Sequence, residues 1–198
     1  ANDSFTYQVT DGLALSAVAG TVTINLTMPT APALATLDNF NRGTVTNLGG
    51  NWTQAVASAA AAPNVQVIGD QAKAVTVGLG GLAIWNAGLL ETQGAAFNSG
   101  TPLNESSALV LKATGGSASA PANYVRVRCE SGNVVVATMM GGSNVSIYVT
   151  QATFPAPLCG ATGTLSAVVN AKGIVTTFIG SNYIGGVQLP DVSAWKGP

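Results

Sequence analysis

Turn signals recur about every ten residues along the second half of this 198-residue chain, and this spacing constrains its fold more than any other feature. They separate short runs that are rich in valine, isoleucine and threonine. The clearest of them are residues 130–133 (ESGN), 141–144 (GGSN), 170–173 (NAKG) and 180–182 (GSN). Short strands joined by tight turns predict an all-β, antiparallel sandwich.

The segment before the first of these turns has the period of a half-buried strand. Val125, Val127 and Cys129 are apolar and alternate with larger polar side chains. This alternation predicts that one face of the strand lies in a core and the other faces outward. We predict further strands at residues 65–68, 74–77, 82–85, 108–112, 134–139, 145–149 and 165–169. Residues 115–117 (GGS) are predicted as a loop. Residues 54–62 are predicted as a loop or irregular strand, although a short helix is the alternative.

The composition supports a β protein of the cell surface or the extracellular space. Hydrophobic residues make up 47% of the chain, and 24 further residues are glycine. Only 8% of residues are charged, and the net charge is −1. Weak electrostatic repulsion favours self-association. Seven lysines and arginines are too few for a surface that follows a phosphate backbone, so we expect no nucleic acid partner.

The N-terminal segment, residues 4–27, is predicted to form two strands joined by an Asp-Gly turn. Apolar and polar residues alternate in both strands, and the apolar residues expected on one face are Phe5, Tyr7, Val9, Val22, Ile24 and Leu26. A two-stranded hairpin is marginally stable in water, so this face needs a partner.

The N-terminal sequence also resembles a known repeat. Residues 3–12 (DSFTYQVTDG) and 21–27 (TVTINLT) resemble the C-terminal end of an Ig-like or cadherin-like tandem repeat. The resemblance implies that residues 1–27 form the last hairpin of such a repeat, without its first strands. Residues 28–36 contain two prolines and three alanines, and they are predicted to be an extended linker at the domain boundary.

The start of the remaining chain resembles a second family. Residues 38–42 (DNFNR) and 48–53 (LGGNWT) resemble the start of concanavalin-like, or laminin-G-like, jelly-roll domains of bacterial surface and secreted modular proteins. The resemblance implies a jelly-roll β-sandwich over residues 37–198, preceded by the hairpin as an extension. It also implies that Phe40 and Trp52 are core anchors and that Asn39, Asn41 and Arg42 hold the first turn together.

The resemblance also predicts an assembly. Such domains continue past a stretch like residues 195–197 (WKG) into a last strand, which this sequence lacks. The hairpin of one copy is therefore expected to complete the sheet of the next, head to tail, and to form a filament. The predicted function is a structural or adhesive subunit of a microbial surface, with copies of itself or neighbouring domains as partners.

Two cysteines, Cys129 and Cys159, are an even pair in a chain of extracellular character, which predicts a disulfide. Closing this loop contributes about 3–4 kcal/mol in the chain-entropy model. Two unrelated buried thiols are the alternative.

The residues that carry chemistry are scarce. The chain has no histidine, which excludes Ser-His-Asp and Cys-His catalysis and most zinc sites. The eight acids do not show the spacing of a paired-carboxylate glycosidase, so we expect no catalytic residue, no enzyme and no cofactor. Oxygens of Asp38, Asn39 and Asn41 are candidate calcium ligands, with turn capping as the alternative interpretation.

A carbohydrate-binding module of a larger secreted protein is the alternative function. The candidate glycan-binding residues are Trp85, Asn86, Tyr148, Asn182, Tyr183 and Trp195, although core packing is the alternative role for Trp85. The most apolar window, residues 77–90, is shorter than a membrane-spanning helix, so we expect no membrane insertion. Any export signal or anchor is expected to lie outside this sequence.

Overall fold

The computed structural model describes residues 2–55, 63–76, 81–86, 90–117, 120–141 and 148–190. The regular secondary structure of these residues is entirely β, so the predicted all-β class is confirmed. The chain divides into two compact units, Ala1–Thr30 and Ala31–Pro198.

The described residues form fourteen strands. In chain order they are β1 Asn2–Tyr7, β2 Gly20–Asn25, β3 Trp52–Gln54, β4 Val65–Val67, β5 Ala72–Ala74, β6 Ala83–Trp85, β7 Gln93–Ser99, β8 Ala108–Ser117, β9 Ala120–Glu130, β10 Asn133–Met139, β11 Tyr148–Pro155, β12 Gly163–Val169, β13 Ile174–Ile179 and β14 Asn182–Gln188. The first two lie in the N-terminal unit and the others in the second unit.

The N-terminal unit is an antiparallel hairpin of β1 and β2. Their register runs from Asn2 opposite Asn25 to Tyr7 opposite Gly20. In the connection, the Asp11 carboxylate accepts hydrogen bonds from the N–H groups of Leu13 and Ala14, at 2.9 and 3.1 Å. These backbone hydrogen bonds lower the pKa of Asp11, so the turn is fixed by an ionised side chain.

The second unit is built around two four-stranded antiparallel sheets. One has the order β11-β10-β9-β8, and the other has the order β14-β13-β12-β7. Consecutive strands pair in both sheets, except that β7 pairs with β12 after the chain has passed through the whole first sheet. Two short two-stranded sheets, β3-β6 and β4-β5, complete the unit. The fold is a β-sandwich, and jelly-roll connectivity stays a prediction.

The core lies between the two four-stranded sheets. From the first sheet it takes Leu109, Leu111, Val125, Val127, Cys129, Val134 and Val136, and from the second it takes Leu165, Ala167, Val169, Val175 and Ile179. The alternation predicted from the sequence before residue 130 is confirmed, since the apolar residues of β9 point into this core. Burying each Val or Leu side chain stabilises the fold by about 1.5–3 kcal/mol.

The turn between β9 and β10 has the backbone conformation that its sequence predicts. Ser131 and Gly132 both have positive φ, 49° and 77°. A two-residue turn with positive φ at both positions matches the right-handed twist of the flanking strands. The predicted turn at residues 130–133 is therefore confirmed.

The loop predicted at residues 115–117 is wrong, because β8 continues to Ser117. Gly116 lies opposite Pro121, and a Cβ on Gly116 would stand 2.4 Å from the carbonyl oxygen of Ala120. The glycines permit a close approach of two paired strands.

Some predicted segments lie wholly or partly outside the described residues. They include most of residues 54–62, the start of the strand at 145–149, and the WKG stretch at 195–197.

A buried lysine lies in β8 next to an irregularity in its pairing with β9. Lys112 is only 1% exposed and has a φ of 54°. Its backbone N–H donates to Gln93 Oε1 at 2.8 Å, and its Nζ donates to the carbonyl oxygen of Glu91. Burial lowers the pKa of Lys112, since it disfavours the charged form. These two hydrogen bonds connect Lys112 of β8 to the first residue of β7 and to the segment just before it.

Candidate functional site

The two faces of the N-terminal hairpin differ in polarity. The register places Phe5 opposite Val22 and Tyr7 opposite Gly20 on one face, where Ile24 also lies. Ser4, Thr6, Thr21 and Thr23 occupy the other face. We call Phe5, Tyr7, Val22 and Ile24 the apolar hairpin face.

The apolar hairpin face is open to solvent. Phe5 is 54% exposed, Tyr7 49%, Val22 38% and Ile24 43%. The Tyr7 ring lies across Gly20, where a Cβ would come within 2.6 Å of the ring. Val9 and Leu26, which the sequence placed in the same set, lie beyond the paired residues and are also exposed. An exposed group of large apolar side chains marks a surface that another molecule can cover.

Asp38 organises the turn at the start of the second unit. Its carboxylate accepts two hydrogen bonds from the Arg42 guanidinium, at 2.7 and 2.8 Å, and one from the Trp52 indole at 2.9 Å. The backbone N–H of Phe40 donates to the same carboxylate at 2.8 Å. The Arg42 side chain, followed by the Phe40 and Trp52 donors, lowers the pKa of Asp38 to about 2.

Two of the three candidate calcium ligands, Asp38 and Asn39, accept hydrogen bonds within this turn. Both oxygens of Asp38 already accept hydrogen bonds from side chains, and Asn39 Oδ1 accepts one from the N–H of Asn41 at 3.0 Å. The described residues contain no group of three or more His, Cys, Asp or Glu side chains able to hold a metal ion. A shallow depression of about 300 Å³ beside the turn is lined by Asp38 and Arg42, which are bonded to each other. These contacts favour the turn-capping interpretation.

Three aromatic side chains pack together near this turn. The ring centroids of Phe40 and Trp52 lie 6.1 Å apart, and those of Trp52 and Trp85 lie 5.1 Å apart with their planes at 80°. All three residues are partly exposed, and the sandwich core does not include them. Phe40 and Trp52 therefore differ from the expected core anchors, because they pack on the small β3-β6 sheet.

Among the candidate glycan-binding residues, Trp195 lies outside the described residues, and Trp85, Asn86, Asn182 and Tyr183 form two separate pairs. Asn86 follows β6, where its side chain accepts from the Thr53 hydroxyl at 2.5 Å and donates to the carbonyl oxygen of Gly50 at 3.0 Å. Trp85 lies at the end of β6, against Trp52.

The second pair lies on β14, in a different sheet. Asn182 donates to the carbonyl oxygen of Ile179 at 3.3 Å, and the Tyr183 ring packs edge-to-face on Phe178 at 5.9 Å. All four side chains thus make contacts within the chain, and the two pairs belong to different sheets.

Cys129 and Cys159 form a disulfide, with their Cα atoms 5.5 Å apart. It joins the end of β9 to the connection between β11 and β12. Cys129 lies in the core, and Cys159 packs against it.

Arg126 and Tyr124 were not selected from the sequence, and both contact Tyr148, which was selected as a glycan candidate. The guanidinium carbon of Arg126, on β9, lies 3.5 Å from the ring centroid of Tyr148, on β11. The hydroxyls of Tyr148 and Tyr124 are 2.7 Å apart and hydrogen-bonded. Strand β10 lies between β9 and β11, so these contacts of Tyr148 with β9 depend on the register of three strands, which the sequence does not reveal.

Comparisons with known proteins supply no family for the chain. No protein-family model, curated protein or solved structure matches it. Among the described residues, no helix has the length and apolar character needed to span a membrane.

Proposed function

We propose that this chain is a non-enzymatic, extracellular structural or adhesive subunit of a microbial surface, and that its copies assemble head to tail through the N-terminal hairpin. The observation that carries the proposal is the apolar hairpin face, whose four large side chains are between 38% and 54% exposed. A second copy of the chain is the partner that we propose to cover this face.

Covering the face would stabilise a hairpin that is marginal by itself. Full burial of a Val, Ile or Phe side chain is worth about 1.5–3 kcal/mol, and a lone two-stranded hairpin lacks that contribution. Each of its strands also has a single hydrogen-bonded neighbour among the described strands, so one backbone edge of each is available to a further strand. Strand addition joins main-chain hydrogen bonds with side-chain burial.

Charge and covalent structure are compatible with this function. A net charge of −1 leaves little repulsion between copies. The disulfide is compatible with an oxidising, extracellular location. Head-to-tail contacts that do not close into a ring produce filaments.

The test compares the two faces of the same hairpin in the full chain. The double variant Phe5→Ser with Ile24→Ser removes two of the four large side chains of the apolar hairpin face, one from each strand. The matched control Thr6→Ala with Thr23→Ala changes the polar face in the same way. Sedimentation velocity over a concentration series should show growing species for the unmodified chain and for the control. The apolar-face variant should remain a monomer.

Two results would contradict the proposal. One is an unmodified chain that stays monomeric at every concentration, and the other is equal association of the apolar-face variant. Near-ultraviolet circular dichroism of each variant reports whether the sandwich is intact. The exposed positions of the substituted side chains make a loss of the sandwich signal unexpected.

The alternative function, a carbohydrate-binding module, has weaker support at the residues selected from the sequence. Trp85 lies on β6 and Asn86 directly follows it, whereas Asn182 and Tyr183 lie on β14, and the side chains of Asn86 and Asn182 are hydrogen-bonded within the chain. If this alternative holds, binding to a glycan array should be lost in Trp85→Ala or Tyr183→Ala.

A further inference from the structure

Arg126 differs from the other arginines of the described structure. Arg42 pairs with Asp38, and Arg128 pairs with Glu130 at 2.6 Å. Within the described ranges Arg126 makes no such ion pair. Its cross-strand neighbours are Val110 on β8 and Ala137 on β10, which carry no charge.

The Arg126 guanidinium is nevertheless held in place. It lies over the Tyr148 ring at 3.5 Å, a cation–π contact that fixes its plane. Its Nε is covered and has no hydrogen-bond partner. The two terminal nitrogens are equally without a partner in the described part of the chain, but they are not covered, so solvent reaches them. An arginine in this state presents a fixed pair of donors to an incoming group.

The tyrosine pair adds neutral polar groups beside these donors. Tyr124 and Tyr148 share one hydrogen bond between their hydroxyls, at 2.7 Å. Two hydroxyl protons are present and one is used in this bond, so the other can be donated to a ligand. Tyr124 is only 8% exposed, so a ligand reaches the pair at the partly exposed Tyr148. Burial raises the pKa of Tyr124, which keeps its hydroxyl protonated.

We propose that Arg126, Tyr124 and Tyr148 form a binding site for the carboxylate of a uronic acid in an acidic polysaccharide. A guanidinium fork matches the two oxygens of a carboxylate, and the tyrosine hydroxyls match the hydroxyls of the sugar. A polyphosphate or nucleic acid would need several unpaired cations, whereas the charge of the neighbouring Arg128 is already met by Glu130. An acidic peptide is less well matched, because it brings no sugar hydroxyl to the tyrosine pair.

This inference is independent of the proposed assembly, since it uses no residue of the hairpin. Sedimentation tests the assembly and ligand binding tests this site. A negative result in one measurement therefore says nothing against the proposal that the other measurement tests.

The experiment measures binding of polygalacturonate to the full chain by isothermal titration calorimetry. Methyl-esterified polygalacturonate is the uncharged comparison, and poly-L-glutamate is the acidic peptide comparison. Arg126→Gln should lower the affinity for polygalacturonate about tenfold, as expected for the loss of one charge-assisted pair. Arg126→Lys should have an affinity between those of the unmodified chain and of Arg126→Gln, since lysine keeps the charge but lacks the two-pronged guanidinium.

The matched control is Arg128→Gln on the same strand and the same face. Its guanidinium is already paired, so the affinity should change by about twofold or less. Absence of polygalacturonate binding, or equal binding by Arg126→Gln, would overturn the site. Equally tight binding of poly-L-glutamate would overturn the assignment to a saccharide. Thermal melting of the Arg126 variants checks that the sandwich remains folded.

Discussion

The hairpin and the sandwich use the same antiparallel pairing and differ in what covers their apolar side chains. In the hairpin, Val22 is 38% exposed, whereas Val125 and Val134 in the sandwich are fully buried. The backbone hydrogen bonds are made in both regions. Alternation of apolar and polar residues is therefore sufficient for paired strands in both regions. A stable core forms only where a second sheet covers the apolar side chains, as in the sandwich.

Removing the disulfide should give the largest difference between the two regions. It closes a separation of 30 residues within the sandwich, and the chain-entropy model gives this a contribution of about 3–4 kcal/mol. The double variant Cys129→Ala with Cys159→Ala should lower the free energy of unfolding by about that amount in urea titrations. A loss below about 1 kcal/mol would mean that core packing, without the disulfide, already holds the β11–β12 connection against β9.

A core substitution should cost nearly as much. Leu165 on β12 is fully buried between the two sheets. Leu165→Ala should lower the free energy of unfolding by about 3 kcal/mol, through lost transfer energy and the cavity that remains. Urea unfolding followed by circular dichroism measures it. A cost below about 1 kcal/mol would indicate that the sheets collapse around the site.

The salt bridge at Asp38 should give a smaller effect that depends on pH. Its pKa falls from 3.8 to about 2 on folding, so the ionised form is stabilised in the folded state. Its contribution is therefore complete above the unfolded pKa and is lost as the pH falls through about 2. Asp38→Asn should lower the free energy of unfolding by about 1–2 kcal/mol at pH 7, and by much less near pH 2.

Tryptophan fluorescence in urea at the two pH values measures this difference, since Trp52 donates to the Asp38 carboxylate. An equal loss at both pH values would contradict a role for the ionised carboxylate. Asp11→Asn is the matched control in the hairpin, where the carboxylate is exposed and bonds only its own turn. It should leave the unfolding transition of the sandwich unchanged.

The smallest effect on sandwich stability is expected at the apolar hairpin face. Phe5→Ala should change the free energy of unfolding of the sandwich by less than about 0.5 kcal/mol, because Phe5 is 54% exposed. Urea unfolding at the lowest usable protein concentration measures this. A larger loss would mean that the hairpin contributes to the sandwich, and the contrast between the regions would then fail.

The sequence predicted the parts of the fold that depend on neighbouring residues. The alternation in β9 and the turn at Ser131 and Gly132 are local, and both were predicted. Strand β7 was not predicted, because its outward positions are Gly94, Ala96 and Asn98, which have low β propensity. The loop predicted at residues 115–117 failed because the close approach of Gly116 to Ala120 depends on the partner strand.

The candidate sites show the same division. The turn at Asp38 was predicted from the family resemblance of residues 38–42 and 48–53, which are close in sequence, although Trp52 packs outside the core. The contact between Arg126 and Tyr148 crosses an intervening strand, so only the register of the sheet reveals it.

The buried position of Lys112 makes it a built-in reporter of sandwich opening. An amine-reactive reagent reaches Lys73 and Lys172 in the folded chain, because both are exposed. It reaches Lys112 only after β8 has separated from its neighbours, since that side chain is 1% exposed. Mass spectrometry of the labelled lysines over time would therefore record how often the sandwich opens, without denaturant and within whatever assembly the chain forms.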